Sequence, residues 1–195
     1  MSSWLFGMAI IAGLAGCGLQ SSEKKFISAD ISGVDFGRNW MLTDHNGKNR
    51  TLDDFKGKAV VLFFGYTHCP DVCPTTLSDM AQALNKMGKE ADKVQVLFVT
   101  VDPARDTQAL LAKYVPAFNP GFLGLYGDEA ATAQIAKEFH AYYQKQQGKN
   151  EQSYNVDHTS GSFVFDPSGK LRIFIKYGLK AESIAHDLRA LLAEY

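Results

Sequence analysis

Apolar residues are distributed along this chain in two alternating patterns, short unbroken runs and sets spaced by three or four positions. The runs at 60–64 and 94–101 are rich in β-branched and aromatic residues, and they predict strands covered on both faces. Between them, apolar residues recur over 77–87 at the spacing of one helix face. This alternation predicts strands that are joined by helices.

The rest of the chain continues the alternation and closes it with an antiparallel hairpin. Asn46-Gly47 is a strong turn signal between candidate strands at 39–44 and 49–52. The later pattern predicts, in order, a helix with Asp106 as its N-cap, a strand at 122–126, a helix from Asp128 with Tyr143 on its buried face, a mobile polar loop at 144–155, a hairpin of 161–166 with 171–177, and a last helix through 184–192. This order indicates an α/β fold, a thioredoxin-like three-layer sandwich with an N-terminal β-hairpin extension.

Length and charge limit the domain count and the classes of partner. The chain has 195 residues, enough for one substantial domain. Its formal net charge is −1 and it contains no basic run, so the composition gives no indication of nucleic-acid binding. Three cysteines are too few for a fold held together by disulfides. We therefore expect one soluble globular domain that does not bind nucleic acid.

The N-terminus carries a targeting signal. Residues 4–16 are apolar and rich in small side chains, but the stretch is too short to span a bilayer and is typical of a signal-peptide core. It ends in Leu14-Ala15-Gly16-Cys17, which resembles the lipobox of bacterial lipoproteins. That resemblance implies cleavage before Cys17 and a lipid anchor on its sulfur. The alternative is a plain signal peptide or a short anchor helix, with an incidental cysteine at position 17.

These features divide the chain into three parts. We expect residues 1–17 to be a lipoprotein-type signal peptide that ends at the lipidated cysteine, and residues 18–34 to be a polar tether. Residues 35–195 are expected to form the folded domain. The domain would then lie outside the cytoplasm, on the periplasmic side, anchored to a membrane.

Two cysteines follow the first buried strand. Cys69 and Cys73 lie in the predicted turn between that strand and the next helix, where Pro74 suits the first helical turn. The carboxyl ends of strands in α/β sheets are where functional sites gather. A helix N-terminus also favours a thiolate over a thiol, so these sulfurs should be unusually acidic.

Spacing alone leaves three interpretations of the cysteine pair open. The two sulfurs are soft ligands that suit Cu(I), and one imidazole would complete a three-coordinate site. The same pair is a candidate redox pair that cycles between dithiol and disulfide, although three residues separate the cysteines instead of the two of thioredoxin. A permanent structural disulfide is the third interpretation, and it fits an oxidising compartment.

The histidines differ in their suitability as a third ligand. His45 is expected to be solvated in a hairpin turn, while His140 and His186 are expected within helices. His68 directly precedes Cys69 in the chain, and adjacent side chains diverge. His158 leads into the first strand of the closing hairpin, which runs close to the cysteine turn in a thioredoxin-like sheet.

Three segments together resemble the Sco/SenC family. They are Gly65-Tyr-Thr-His-Cys-Pro-Asp-Val-Cys-Pro74, Thr100-Val-Asp-Pro-Ala-Arg-Asp-Thr107 and Val156-Asp-His-Thr159, and the resemblance extends over roughly residues 35–190. It implies a thioredoxin-like fold that binds copper, as Cu(I) or Cu(II). Many members of the family serve assembly of the copper A centre in cytochrome c oxidase.

The resemblance assigns roles to individual residues. It implies that Cys69, Cys73 and His158 are the metal ligands. Asp102, Arg105 and Asp106 match the middle motif, where an ion pair that orders the loop is the simplest role. The favoured function is a metallochaperone that passes copper to the copper-bearing oxidase subunit or to another cuproprotein. The alternative is an enzyme, a membrane-tethered thiol–disulfide oxidoreductase that reduces the cysteines of a cuproprotein.

Overall fold

The strand that leads to the cysteines lies at the centre of a large mixed sheet. The structure is a computed structural model that describes residues 25–148 and 153–195. The strand extends over Ala59–Gly65, and every residue in it is buried. Burial of all seven residues means that both faces of the sheet are covered here, as a three-layer sandwich requires.

Ten strands and four helices are described. The strands are β1 (Ala29–Asp30), β2 (Leu42–Asp44), β3 (Asn49–Arg50), β4 (Ala59–Gly65), β5 (Val94–Thr100), β6 (Leu123–Tyr126), β7 (Tyr143–Gln146), β8 (Asn155–His158), β9 (Ser162–Phe165) and β10 (Leu171–Ile175). The helices are α1 (Val72–Met87), α2 (Gln108–Tyr114), α3 (Glu129–Glu138) and α4 (Ala181–Leu192), with short 3-10 turns at Leu52–Phe55 and Gly88–Lys93.

Eight of these strands form one sheet in the order β1-β10-β9-β4-β5-β6-β2-β3. Strands β4, β5 and β6 run parallel, while β9 and β10 form an antiparallel hairpin against the other side of β4. Helices α1 and α4 pack together, and α2 packs against β6. The α/β class, the thioredoxin-like architecture and the leading hairpin are therefore confirmed, and the β2–β3 hairpin extends the sheet beyond β6.

The folded part begins earlier than residue 35, so the predicted tether of 18–34 is too long. Phe26 is buried, and the short strand β1 pairs with β10. The buried carboxylate of Asp187 in α4 accepts the backbone N–H groups of Ile27 and Ser28, each at 2.8 Å. Sequence patterning missed this docking because the segment is polar and offers one deeply buried side chain instead of a repeat.

The predicted loop at 144–155 is wrong where it includes strands, because β7 covers residues 144–146 and β8 begins at Asn155. Helix α3 ends at Glu138, followed by His140 with a left-handed backbone at φ 50°, and Tyr143 belongs to β7 instead of the helix. Strands β7 and β8 pair antiparallel as a separate two-stranded sheet. The side chains of β7 are largely exposed, so the segment has no alternation of apolar and polar residues to mark it as a strand.

Asp106 is not the N-cap of α2. That position belongs to Thr107, whose hydroxyl accepts the N–H of Leu110 at 3.2 Å. Asp128 does cap α3, as expected, and accepts the N–H of Ala131 at 2.8 Å. Asp106 is instead fully buried beside the cysteine turn.

Candidate metal centre

The two cysteines occupy different environments within one turn. Cys69 follows β4 and is partly buried, whereas Cys73 lies in the first turn of α1 and is fully buried. The backbone N–H of Cys73 points at the sulfur of Cys69, at 3.4 Å. Pro74 is the third residue of α1, where the missing N–H would have had no partner in the helix. The helix N-terminus is thus directed at Cys69, as the sequence predicts.

His158 brings an imidazole to these sulfurs from the end of β8. Its Nε2 lies 3.4 Å from the Sγ of Cys73. Its Nδ1 lies 3.0 Å from the carbonyl oxygen of Thr159, so Nδ1–H donates to that oxygen and the Nε2 lone pair faces the sulfurs. The ring meets Tyr66 and Phe63 edge-on, at centroid distances of 5.9 Å and 6.2 Å. A hydrogen bond of this kind on the far nitrogen is typical of metal-binding histidines.

The three side chains form a cluster with the composition of a metal site. One ligand atom from each of Cys69, Cys73 and His158 lies within 4.8 Å of the others. Metal–sulfur bonds of about 2.3 Å place two sulfurs on one ion at most about 4.6 Å apart. The residues therefore fit a shared ion after small side-chain adjustments. Two sulfurs and one imidazole favour soft metals, Cu(I) among them.

The sulfurs share a single proton in the reduced protein. The Cys73 thiol donates to Cys69, and with further help from the backbone N–H groups of Asp71 and Cys73 this lowers the pKa of Cys69 to about 5. The pKa of Cys73 is raised, first because its proton is held by Cys69 and then because it is buried. Near neutral pH the pair is one thiolate and one thiol. The low pKa of Cys69 agrees with the expected acidic sulfur, and the neighbouring thiol lowers that pKa more than the backbone N–H groups of the helix do.

Asp106 fixes the turn in which Cys69 lies. Its buried carboxylate accepts the backbone N–H of Thr67 at 3.0 Å and the Thr67 hydroxyl at 2.6 Å. It also accepts the hydroxyl of Thr100, the last residue of β5, at 2.6 Å. Three neutral donors therefore hold one carboxylate between two strand ends, two positions before the cysteine.

The other two residues of the middle motif contact the segment that precedes β8. Arg105 and Asp102 form an ion pair through Nε and Oδ2. Both also contact Tyr154, a residue that sequence reasoning missed. The signal that would have indicated it is an aromatic residue in a polar segment, four positions before His158.

The remaining histidines lie outside the cluster. His45 is buried, contrary to the prediction of a solvated residue, and its Nδ1 accepts the backbone N–H of Gly124 at 3.0 Å. His68, His140 and His186 are exposed. His68 points toward Asp106, with its Nδ1 at 3.9 Å from the carboxylate, instead of toward the sulfurs.

The predicted lipid anchor at Cys17 lies outside the described residues. Within the part of the chain that is described, no helix combines the length and the apolar character that crossing a bilayer requires.

Known proteins share both the sequence and the fold. The chain is 38% identical over 156 residues to the mitochondrial SCO2 homologue of Bos taurus, covering 79% of this chain and 59% of that protein. It superposes on Bradyrhizobium japonicum ScoI with copper bound at a TM-score of 0.73 and 38% identity, covering 85% of this chain and 99% of that structure. A SCO1/SenC family lipoprotein from Bacillus anthracis superposes at a TM-score of 0.65 and 26% identity, covering 83% and 96% of the two chains.

This chain matches only part of the length of its curated relatives. The matched part of this chain spans about three fifths of the bovine protein and of its mouse counterpart. The family model SCO1/SenC, by contrast, matches residues 28–193, which include all three cluster residues and every strand and helix of the domain. This chain belongs to the SCO1/SenC family.

Proposed function

We propose that this protein is an extracytoplasmic metallochaperone that binds copper and passes it on during assembly of the copper A centre of cytochrome c oxidase. The observation that carries the proposal is the cluster of Cys69, Cys73 and His158, with its ligand atoms within 4.8 Å of one another. The copper bound to ScoI of Bradyrhizobium japonicum, 38% identical to this chain, supports it.

The chemistry of each ligand suits the capture of copper as cargo. The Cys69 thiolate is present at neutral pH because its pKa is about 5, so a soft ligand is available before the metal arrives. The Cys73 thiol gives up its proton when the metal takes its place. The Nε2 of His158 faces both sulfurs because Nδ1–H donates to Thr159. An imidazole ligand matters most for Cu(II), which prefers nitrogen over an all-sulfur site.

A second candidate function uses the same sulfurs without metal. In a thiol–disulfide oxidoreductase, the Cys69 thiolate would attack a disulfide of the partner and form a mixed disulfide. Cys73 would then displace the partner's second sulfur, leaving a Cys69–Cys73 disulfide and a reduced dithiol in the partner. The low pKa of Cys69 and the short distance to the second sulfur favour this activity. It has no need of His158.

A competition titration with Cu(I) and Cu(II) tests the proposal. Reduced wild-type protein should bind one copper ion, and Cys69→Ser and Cys73→Ser should lose most of the affinity, because a hydroxyl is a hard and weakly acidic ligand. His158→Ala should keep a weakened Cu(I) site and lose Cu(II). His68→Ala is the matched control, since it removes an exposed imidazole next to Cys69 that lies outside the cluster.

The titration separates the two functions. If His158→Ala binds both copper states as tightly as wild type while the cysteine variants fail, the histidine is not a ligand. The oxidoreductase hypothesis then replaces the metallochaperone.

A further inference from the structure

His158 and the cysteines belong to different sheets. His158 is the last residue of β8, which pairs only with β7 in a two-stranded sheet. The cysteines follow β4, at the centre of the eight-stranded sheet. At its C-terminal end β8 is tied to the large sheet by the short link from His158 to Ser162 of β9, which pairs with β4. At its N-terminal end no backbone pairing with the large sheet is described, so side-chain contacts between the two sheets place that end.

Tyr154, directly before β8, makes one of these contacts. Its hydroxyl donates to the Oδ1 of Asp102 at 2.7 Å. Burial, followed by this bond to a carboxylate, raises the pKa of Tyr154 to about 12, so the hydroxyl keeps its proton. The guanidinium of Arg105 lies 3.6 Å from the centroid of the tyrosine ring, a close cation–π contact.

Arg105 adds two further links between the sheets. Its Nη1 donates to the backbone carbonyl of Tyr154 at 3.0 Å. The same guanidinium lies 5.7 Å from the ring centroid of Tyr66, and the Tyr66 ring in turn meets the His158 ring edge-on. Arg105 thus touches the backbone and the ring of one residue before β8 and a ring that packs on the imidazole itself.

The other end of this set of contacts is fixed to the large sheet. The backbone N–H of Asp102 donates to the hydroxyl of Thr100 at 3.0 Å. Thr100 is the last residue of β5 and lies opposite Gly65, the last residue of β4. The chain of contacts from Tyr154 through Asp102 to Thr100 therefore ends at the strand ends from which the cysteine turn begins.

We propose that Tyr154, held by Asp102 and Arg105, is a positioning residue that sets the place of the His158 imidazole against the two sulfurs. The inference rests on the proposed function, since it concerns the same copper site. His158 lies four positions after Tyr154, about 13 Å along an extended strand. Fixing the first point of that strand restricts where the last can lie. Loss of the contact lowers the fraction of molecules in which Nε2 faces the sulfurs.

Three variants and one control test the role of Tyr154. Tyr154→Phe removes the hydroxyl but keeps a ring under the guanidinium, and Tyr154→Leu removes both contacts. Arg105→Lys keeps the charge but loses the planar stacking surface. Tyr142→Phe is the matched control: Tyr142 lies next to the same two-stranded sheet, is exposed, and bonds through its hydroxyl to Gln144.

The expected result is a loss of affinity for Cu(II) that is much larger than the loss for Cu(I). Outer contacts of a metal ligand typically change affinity by about 10- to 100-fold. We expect Cu(II) affinity to fall by about 10- to 100-fold in Tyr154→Leu, and by less in Tyr154→Phe and Arg105→Lys. Cu(I) affinity should change by less than about 3-fold because both sulfurs remain. Tyr142→Phe should match wild type for both ions.

A measurement on the metal-free protein gives an independent readout. NMR relaxation dispersion should show the His158 ring and the amides of 155–158 free of exchange in wild type and Tyr142→Phe. In Tyr154→Leu they should show exchange on the microsecond-to-millisecond timescale. The amides of β4 and β5 should keep their wild-type positions in every variant, which shows that the large sheet is intact.

Two outcomes overturn the inference. One is wild-type Cu(II) affinity and wild-type relaxation in both Tyr154 variants. The other is an equal loss of Cu(I) and Cu(II), which would indicate general destabilisation. Failure of the proposed function is seen separately, as wild-type protein that binds no copper. In that case the relaxation of metal-free Tyr154→Leu alone decides whether Tyr154 positions His158.

Discussion

Gly65 lies directly against the buried Sγ of Cys73, and a side chain at position 65 would meet both that sulfur and the ring of Phe98. A Cβ on Gly65 would lie 3.0 Å from the Sγ of Cys73 and 2.6 Å from the ring of Phe98. The end of β4 and the first turn of α1 are therefore packed directly around the buried sulfur. The position of that sulfur depends on a missing side chain eight residues earlier in the chain.

Gly65→Ala should displace the Phe98 ring and, with it, Cys73. We expect overpacking to lower the free energy of unfolding by about 1–3 kcal/mol and to weaken copper binding as the sulfur moves. Gly121→Ala is the control, since its Cβ would meet only the Asn119 side-chain oxygen, at 3.3 Å. Urea unfolding and copper titration check both effects. Wild-type stability together with wild-type affinity in Gly65→Ala would show that this packing does not hold the sulfur.

The reactivity of Cys69 should follow its low pKa. Alkylation rate against pH should show an inflection near pH 5, well below the value of about 8.5 for a free cysteine. Cys73→Ala removes the thiol that donates to Cys69, so the inflection should move up, whereas Cys73→Ser keeps a donor and should move it less. An inflection at the free-cysteine value in wild type contradicts the predicted thiolate.

The same proton makes the stability of the reduced protein depend on pH. The folded pKa of Cys69 is depressed from 9.0 to about 5, so its contribution is present above about pH 9 and is lost as the pH falls toward 5. Above pH 9 the raised pKa of Cys73 acts in the opposite direction. Unfolding free energy should therefore rise from about pH 5 to 9 in the reduced protein, and should not show this rise in the disulfide form.

His45 should add a second pH dependence, at a site far from the cysteines in sequence. Burial lowers its pKa below the ordinary 6.5, against a smaller opposing effect of Asp44. A protonated Nδ1 would face the N–H of Gly124 and could no longer accept its hydrogen bond. The contribution of neutral His45 to the free energy of unfolding should be fully present above pH 6.5, and it should fall as the pH drops below that value. His45→Gln keeps an acceptor but does not titrate, so part of the acid loss should vanish in it. An NMR titration of His45 at or above 6.5 would refute the prediction.

Cys17 should decide where the protein is found. The tetrapeptide at 14–17 predicts a mature chain that begins at Cys17, carries lipid and partitions with membranes. Cys17→Ala should release the protein or stall its processing, while Cys69→Ala leaves partitioning unchanged. Cell fractionation with intact-mass analysis gives the answer. An unmodified Met1 start in the membrane fraction is incompatible with a lipid on Cys17.

The sequence predicted the central sheet well because its strands carry their own signal. The unbroken apolar run of β4 and the periodic apolar face of α1 are local patterns. The strand extends over Ala59–Gly65, within one residue of the predicted run at each end. The helix extends from Val72 to Met87 and includes the whole predicted apolar face. Strands β7 and β8 lack such a pattern. They are stabilised by pairing with each other, which no single stretch of sequence records.

The candidate site shows the same division between local and distant contacts. The cysteine turn was predicted from its place after a strand, and His158 from a motif. Tyr154 was missed because its partner Arg105 lies 49 positions away in the chain. His45 was predicted to be solvated because polar residues in turns usually are, and its burial depends on Gly124, 79 positions away.

The unequal burial of the two sulfurs would give the proposed exchange, of copper or of a disulfide, a direction. Cys73 is fully buried, and only Cys69 is partly accessible. An incoming thiolate from another protein therefore meets Cys69 first, whether it comes to share an ion or to form a mixed disulfide. If copper is the cargo, the bond to Cys69 would be the first of the two sulfur bonds to be exchanged, and in disulfide exchange Cys73 would be the sulfur that expels the partner. Under either proposed function, exchange would then proceed from the surface sulfur to the buried one.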